Sequence, residues 1–97
     1  MEAIAEVKST FYPVTGEPRE ISPGHGRKFR NDELISLLGG DIEIVCMLND
    51  GSMLIVCEES KRLGQSINIK ATELYRSRVG SKDFICGPAA VVLGVQF

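Results

Sequence analysis

Two apolar runs flank an Asp-Gly pair near the middle of the chain, and this arrangement narrows the fold more than any other feature. Ile42 to Leu48 leads into Asn49-Asp50-Gly51-Ser52, and Met53 to Cys57 follows. Asp50-Gly51 suits the central positions of a type I′ turn, which need positive φ, so a β-hairpin is expected. In the register this turn sets, Leu48 faces Met53, Cys46 faces Ile55, and Ile44 faces Cys57. One face is then wholly apolar. The other carries Glu43, Val45, Met47, Leu54 and Val56, so it is largely covered too. A strand pair buried on both faces belongs in the middle of a sheet. Cys46 and Cys57 become diagonal neighbours, a placement that disfavours a disulfide.

The remaining segments supply strands and helices around this hairpin. Ala3 to Val14 reads as an extended first strand with imperfect alternation, ended by Pro13 and Gly16. Glu17 to Ile21 returns as a short second strand. Ser22 to Arg30 is a Gly- and Pro-containing loop with basic decoration. Asn31 has the chemistry of an N-cap. Asp32 and Glu33 fall in the first turn of the helix it would start, where carboxylates complement the dipole. Leu34, Ile35, Leu37 and Leu38 form its apolar stripe, and Gly39-Gly40 stops it. Asn68 caps a second helix from Ile69 to about Val79, with Ala71, Leu74, Tyr75 and Val79 facing the core. Asp83 to Val95 is the last strand region. Gly87-Pro88 within it implies a bulge or an edge position, because proline cannot donate a ladder hydrogen bond. The fold class that follows is α+β: one domain over residues 1–97, with a mainly antiparallel sheet, a central hairpin and two short helices packed on one side.

Composition excludes more than it selects. Eleven basic and thirteen acidic side chains leave a net charge of −2, so nothing global points to nucleic acid or an anionic membrane. The longest apolar stretches, Met53 to Cys57 and Ala89 to Leu93, fall far short of the ~20 residues needed to span a bilayer. No basic start precedes an apolar run, so no signal peptide is expected. Cys46, Cys57 and Cys86 sit in apolar runs without C-x-x-C spacing, which reads as three reduced, buried thiols in a cytoplasmic protein.

Catalytic chemistry has little to rest on. The single histidine, His25, lies in a Gly-flanked loop, and no Ser or Cys has the sequence context of an activated nucleophile. No metal-ligand spacing is present, and no cofactor is expected. Gly24-His25-Gly26-Arg27-Lys28 offers flexible backbone and cations to an anion but lacks P-loop spacing. Charge segregation says more. Asp32 to Glu59 holds seven acidic residues and no basic one, whereas Lys61 to Lys82 holds six basic residues and one acidic. If Lys61, Lys70 and Arg76 converge around the second helix, they form an anion site or a surface for an acidic partner. Arg62, Asn68 and Thr72 complete the candidate contacts. Phe29 between Lys28 and Arg30, and Tyr75 beside Arg76, give only a weak signal for stacking on nucleic acid.

The order of motifs resembles a bacterial and phage domain family of unknown function, found in phages, plasmids and other mobile elements. The resemblance runs from about Tyr12 to Gly94. It rests on Tyr12-Pro13 with Gly16-Glu17-Pro18, Leu38-Gly39-Gly40, and Ile42-Glu43-Ile44-Val45. It continues through Asp50-Gly51, Leu54-Ile55-Val56 before Glu58-Glu59, and Leu63-Gly64. Asn68 before Ala71-Thr72-Glu73-Leu74, and Gly87-Pro88 before Val91-Val92-Leu93-Gly94, complete it. Asp41 stands where an aromatic is commoner in the family, and Cys57 where an asparagine usually precedes the Glu pair.

The resemblance implies a small accessory protein inside a bacterial host, with counter-defence among the roles such proteins play. The expected function is non-enzymatic binding, either of a host protein or of a small anionic, nucleotide-like signal. A small nucleotide-acting enzyme and a nucleic-acid-binding regulator are the alternatives. A homodimer is also expected, because the first strand and the Val91 to Phe97 tail offer edges to a second chain.

Overall fold

The computed structural model describes residues 8–48 and 50–97. Five strands form one antiparallel sheet: β1 (Ser9–Tyr12), β2 (Arg19–Ile21), β3 (Ile42–Met47), β4 (Met53–Cys57) and β5 (Ala89–Val92). Two helices accompany it, α1 (Asn31–Leu38) and α2 (Ile69–Val79). The α+β class read from the sequence therefore holds. The Ala3 to Val7 part of the expected first strand lies outside the described residues.

The strand order is β2-β1-β5-β4-β3. This corrects the expected central hairpin: β4 is an inner strand, but β3 is the outer edge. The centre belongs to β5, all four of whose residues are buried. Pro88 is neither in a bulge nor on an edge. It stands just before β5, where its missing N–H interrupts no ladder, while Gly87 turns the chain at φ 78°. The tail expected to offer an edge is likewise committed. Val91 and Val92 pair on the inside of the sheet, and Gly94–Gln96 forms a 3-10 turn. Gln96 accepts from Ser9 Oγ at 2.5 Å, and its carbonyl accepts from Phe29 N–H at 2.7 Å. Among the described residues, the sheet's two edges are β2 and β3.

The hairpin register also differs from the type I′ expectation. Leu48 N–H donates to the Ser52 carbonyl at 2.8 Å, and Gly51 N–H to the Leu48 carbonyl at 3.0 Å. Asp50 shapes the turn by accepting from the backbone N–H and hydroxyl of Ser52. Gly51, at φ 87°, occupies the left-handed position of a three-residue loop. The pairs are accordingly Met47 with Met53 and Cys46 with Leu54. A bulge at Val45 then shifts the register to Ile44 with Ile55 and Ile42 with Cys57. A one-residue slip moves side chains to the other face. Cys46 thus joins Leu54 on one side of the sheet, while Cys57 packs on the other.

The helices cover opposite faces, not one side as expected, because both faces of β4 and β5 are apolar. Ile55, Cys57, Ala90 and Val92 meet Leu34 and Leu38 of α1. Leu54, Val56, Ala89 and Val91 meet Ala71 of α2 together with Ile85. Burying each Leu, Ile or Val in these layers contributes about 1.5–3 kcal/mol.

Both helix ends follow local chemistry. The N-cap of α1 is Arg30, one residue earlier than expected, because the Glu33 carboxylate accepts the Arg30 N–H at 2.8 Å. Gly39 ends α1 in the left-handed conformation. Asn68 caps α2 as the sequence implies, accepting from Ala71 N–H at 3.1 Å. Leu74 and Tyr75 pack inward, but Val79 is exposed at the last turn, where Arg78 reaches the edge strand instead.

Candidate functional site

The structure brings Lys61 and Arg76 together and gives Lys70 a different partner. Lys61 donates to Asp83 Oδ1 at 2.5 Å and lies 4.6 Å from the centre of the Phe84 ring. Arg62 pairs with Glu59. Lys70 reaches Glu17 at 3.3 Å. Arg76 donates from Nε to the Asp83 carbonyl and from a terminal nitrogen to the Lys82 carbonyl, each at 2.9 Å. Lys61 and Arg76 thus meet around Asp83, while Lys70 holds a different partner. Each of these cations already has an internal acceptor.

Asn68 and Thr72 are interior groups. Asn68 is only 1% exposed, and its Nδ2 donates to the carbonyls of Tyr12 and Gly87, each at 2.9 Å. With the cap to Ala71, that side chain joins β1, α2 and the turn before β5. Thr72 Oγ1 accepts from Ile85 N–H at 2.9 Å and lies 3.4 Å from the Ile85 carbonyl. Both groups hold the 85–87 segment against α2.

The Gly24 to Lys28 loop does meet an anion, and it belongs to the chain itself. Gly24 N–H donates to Glu33 Oε2 at 2.7 Å. A Cβ at Gly24 would fall 2.4 Å from that oxygen, so a side chain there would displace the Glu33 carboxylate. The Arg30 N–H, followed by the Gly24 N–H, holds the Glu33 carboxyl below its ordinary pKa.

A different place has the shape of a binding site. On the α2 side of the sheet, next to edge strand β3, lies a cleft of about 300 Å³. Glu43 and Val45 of β3, Glu58 and Ser60 after β4, Tyr75 of α2 and Asp83 contribute to its walls. Its carboxylates outnumber its single cation, Lys61, which is paired to Asp83. The Lys61 ammonium, then the Phe84 N–H, lower the pKa of Asp83, so it is charged at neutral pH. Ser60 lies at this cleft with 2% exposure, and its Oγ has no hydrogen-bond partner.

Among the described residues, no strand pairs with the outer side of the adjoining edge, which exposes two large apolar side chains. Ile44 is 46% and Met47 56% exposed. Arg78 Nε donates to the Met47 carbonyl at 2.6 Å, which occupies the edge at one end. The Val45 bulge bends it just before that point. Ile42–Ile44 remains beside the mouth of the cleft. Glu43, Glu58, Tyr75 and Asp83 were not singled out as a site in the sequence, and the acid-only stretch from Asp32 to Glu59 was the signal that could have marked Glu43 and Glu58.

Among the described residues, no group of three or more His, Cys, Asp and Glu is placed to hold a metal ion, and no helix is long and apolar enough to cross a membrane. Cys57 and Cys86 are buried, and partial burial raises the pKa of the Cys46 thiol. Comparisons with protein-family models, curated proteins and solved structures find no match to this chain.

Proposed function

We propose that this chain is a binding protein without a reaction of its own, acting in the cytoplasm of a bacterial host as an accessory of a phage or other mobile element. Its partner is a protein that adds an extended segment to β3. The observation that carries this reading is the position of β3 at the end of the strand order with Ile44 and Met47 exposed. An outer strand presents unpaired backbone groups, and strand addition is a recurrent mode of peptide recognition. The resemblance to domains of mobile elements supports the host setting, and counter-defence is the role it suggests.

The small-anion reading needs Lys61, Lys70 and Arg76 to present charge at one point. Their carboxylate and carbonyl partners count against that use. The protein reading needs only an accessible edge.

Native mass spectrometry of the protein purified from phage-infected bacterial cells tests the choice. A bound polypeptide in the wild type, lost in Ile44→Lys, is expected, because an edge lysine opposes strand addition. A bound mass of a few hundred daltons that Ile44→Lys retains would contradict it.

A further inference from the structure

Resting on the strand-addition reading, we infer that the segment received by β3 is basic, and that it places a lysine or arginine side chain in the cleft beside Glu43. Alternate side chains of an added strand point to the same face of the sheet. Along Ile42–Ile44, one of those faces is the α2 side, where the cleft opens. Its carboxylates come from Glu43, Glu58 and Asp83, on three separate segments. Tyr75 adds aromatic surface for the stem or head of a long cationic side chain, as Phe84 already does for Lys61.

The charge pattern of the chain points the same way. Glu43 and Glu58 lie in a stretch without a basic residue, between Arg30 and Lys61, and the cleft's one cation, Lys61, is paired to Asp83. A second copy docked edge to edge about a two-fold axis would set Glu43 and its acidic neighbours against themselves. A basic partner meets no such repulsion, and charge complementarity would speed its encounter.

Selection from a random-peptide library against the full chain, followed by titration of amide NMR shifts, tests the inference. The expected binders carry Lys or Arg at one fixed position among β-forming residues and shift the amides of Ile42–Ile44 and Tyr75. Affinity should fall about five-fold in Glu43→Gln/Glu58→Gln, as for two exposed charge contacts, and fall further with salt. Binders that shift β3 but lack a required Lys or Arg, or bind the double variant equally well, overturn the basic occupant and leave strand addition standing. A library that yields no binder, or binders that leave β3 unshifted, overturns both.

Discussion

Asn68 and Tyr12 lie 56 positions apart, yet the Asn68 side-chain amide donates to the Tyr12 carbonyl at 2.9 Å. The same amide group reaches Gly87, and its oxygen caps α2. One buried side chain therefore fixes the end of β1, the start of α2 and the entry to β5. Asn68→Ala should cost about 3 kcal/mol, since it removes a cap and the donors to one buried and one part-buried carbonyl. Asn68→Asp keeps the cap but loses both donors, so it should be no more stable than the alanine variant. Urea denaturation of the three proteins gives the comparison.

Gly87 is closed to any side chain. Its φ is 78°, and a Cβ would fall 2.3 Å from Gln65 Oε1 and 2.5 Å from Ser60 Oγ. Gly87→Ala should destabilise by about 2 kcal/mol through backbone conformation and crowding together. Ser60→Ala should be neutral or stabilising, because the hydroxyl it removes has no partner. Thermal melts should show a lowered midpoint for Gly87→Ala and an unchanged or raised one for Ser60→Ala.

The cations of α2 separate by partner. Lys70→Glu should change stability by no more than about 0.5 kcal/mol, as its link to Glu17 is an exposed ion pair. Arg76→Glu should cost about 1 kcal/mol, because Arg76 donates to two carbonyls of the 82–83 turn. Equal melting temperatures for the two variants would place Arg76 outside the structural role assigned to it.

Acid should loosen the tie between the 24–30 loop and α1. The folded state lowers the pKa of Glu33 through the N–H groups of Arg30 and Gly24. A carboxyl lowered in this way contributes stability above its unfolded pKa and loses it as pH falls through the lower, folded value. Glu33→Gln should therefore be less stable than wild type at neutral pH, with the difference shrinking below the ordinary glutamate range. Denaturation midpoints between neutral and acidic pH test the convergence.

Local signals in the sequence carried the elements, and tertiary arrangement carried the rest. Asn68, Gly39 and the Leu34–Leu38 stripe specify helix ends and faces through contacts a few residues away, so they were legible. The hairpin was legible as a hairpin, but its register was not. Asp50 bonds to Ser52 and lengthens the turn, and the bulge at Val45 compensates only after Cys46 has changed faces. Strand order was hidden because β3 and β4 are similarly apolar in sequence, whereas β1 and β5 cover only β4's side of the pair. The internal partners of the basic segment were not legible, because sequence shows charges and not what they meet. Asp83, Glu17 and the backbone carbonyls of 82–83 satisfy cations that looked available.

The most direct test of strand addition is amide hydrogen exchange on the protein alone and in complex with the polypeptide that co-purifies with it. Slowed exchange concentrated in Ile42–Cys46, with the inner strands β4 and β5 little changed, is the expected result. Protection confined to β2 or to α2, with Ile42–Cys46 exchanging as in the free protein, would contradict a binding site at β3.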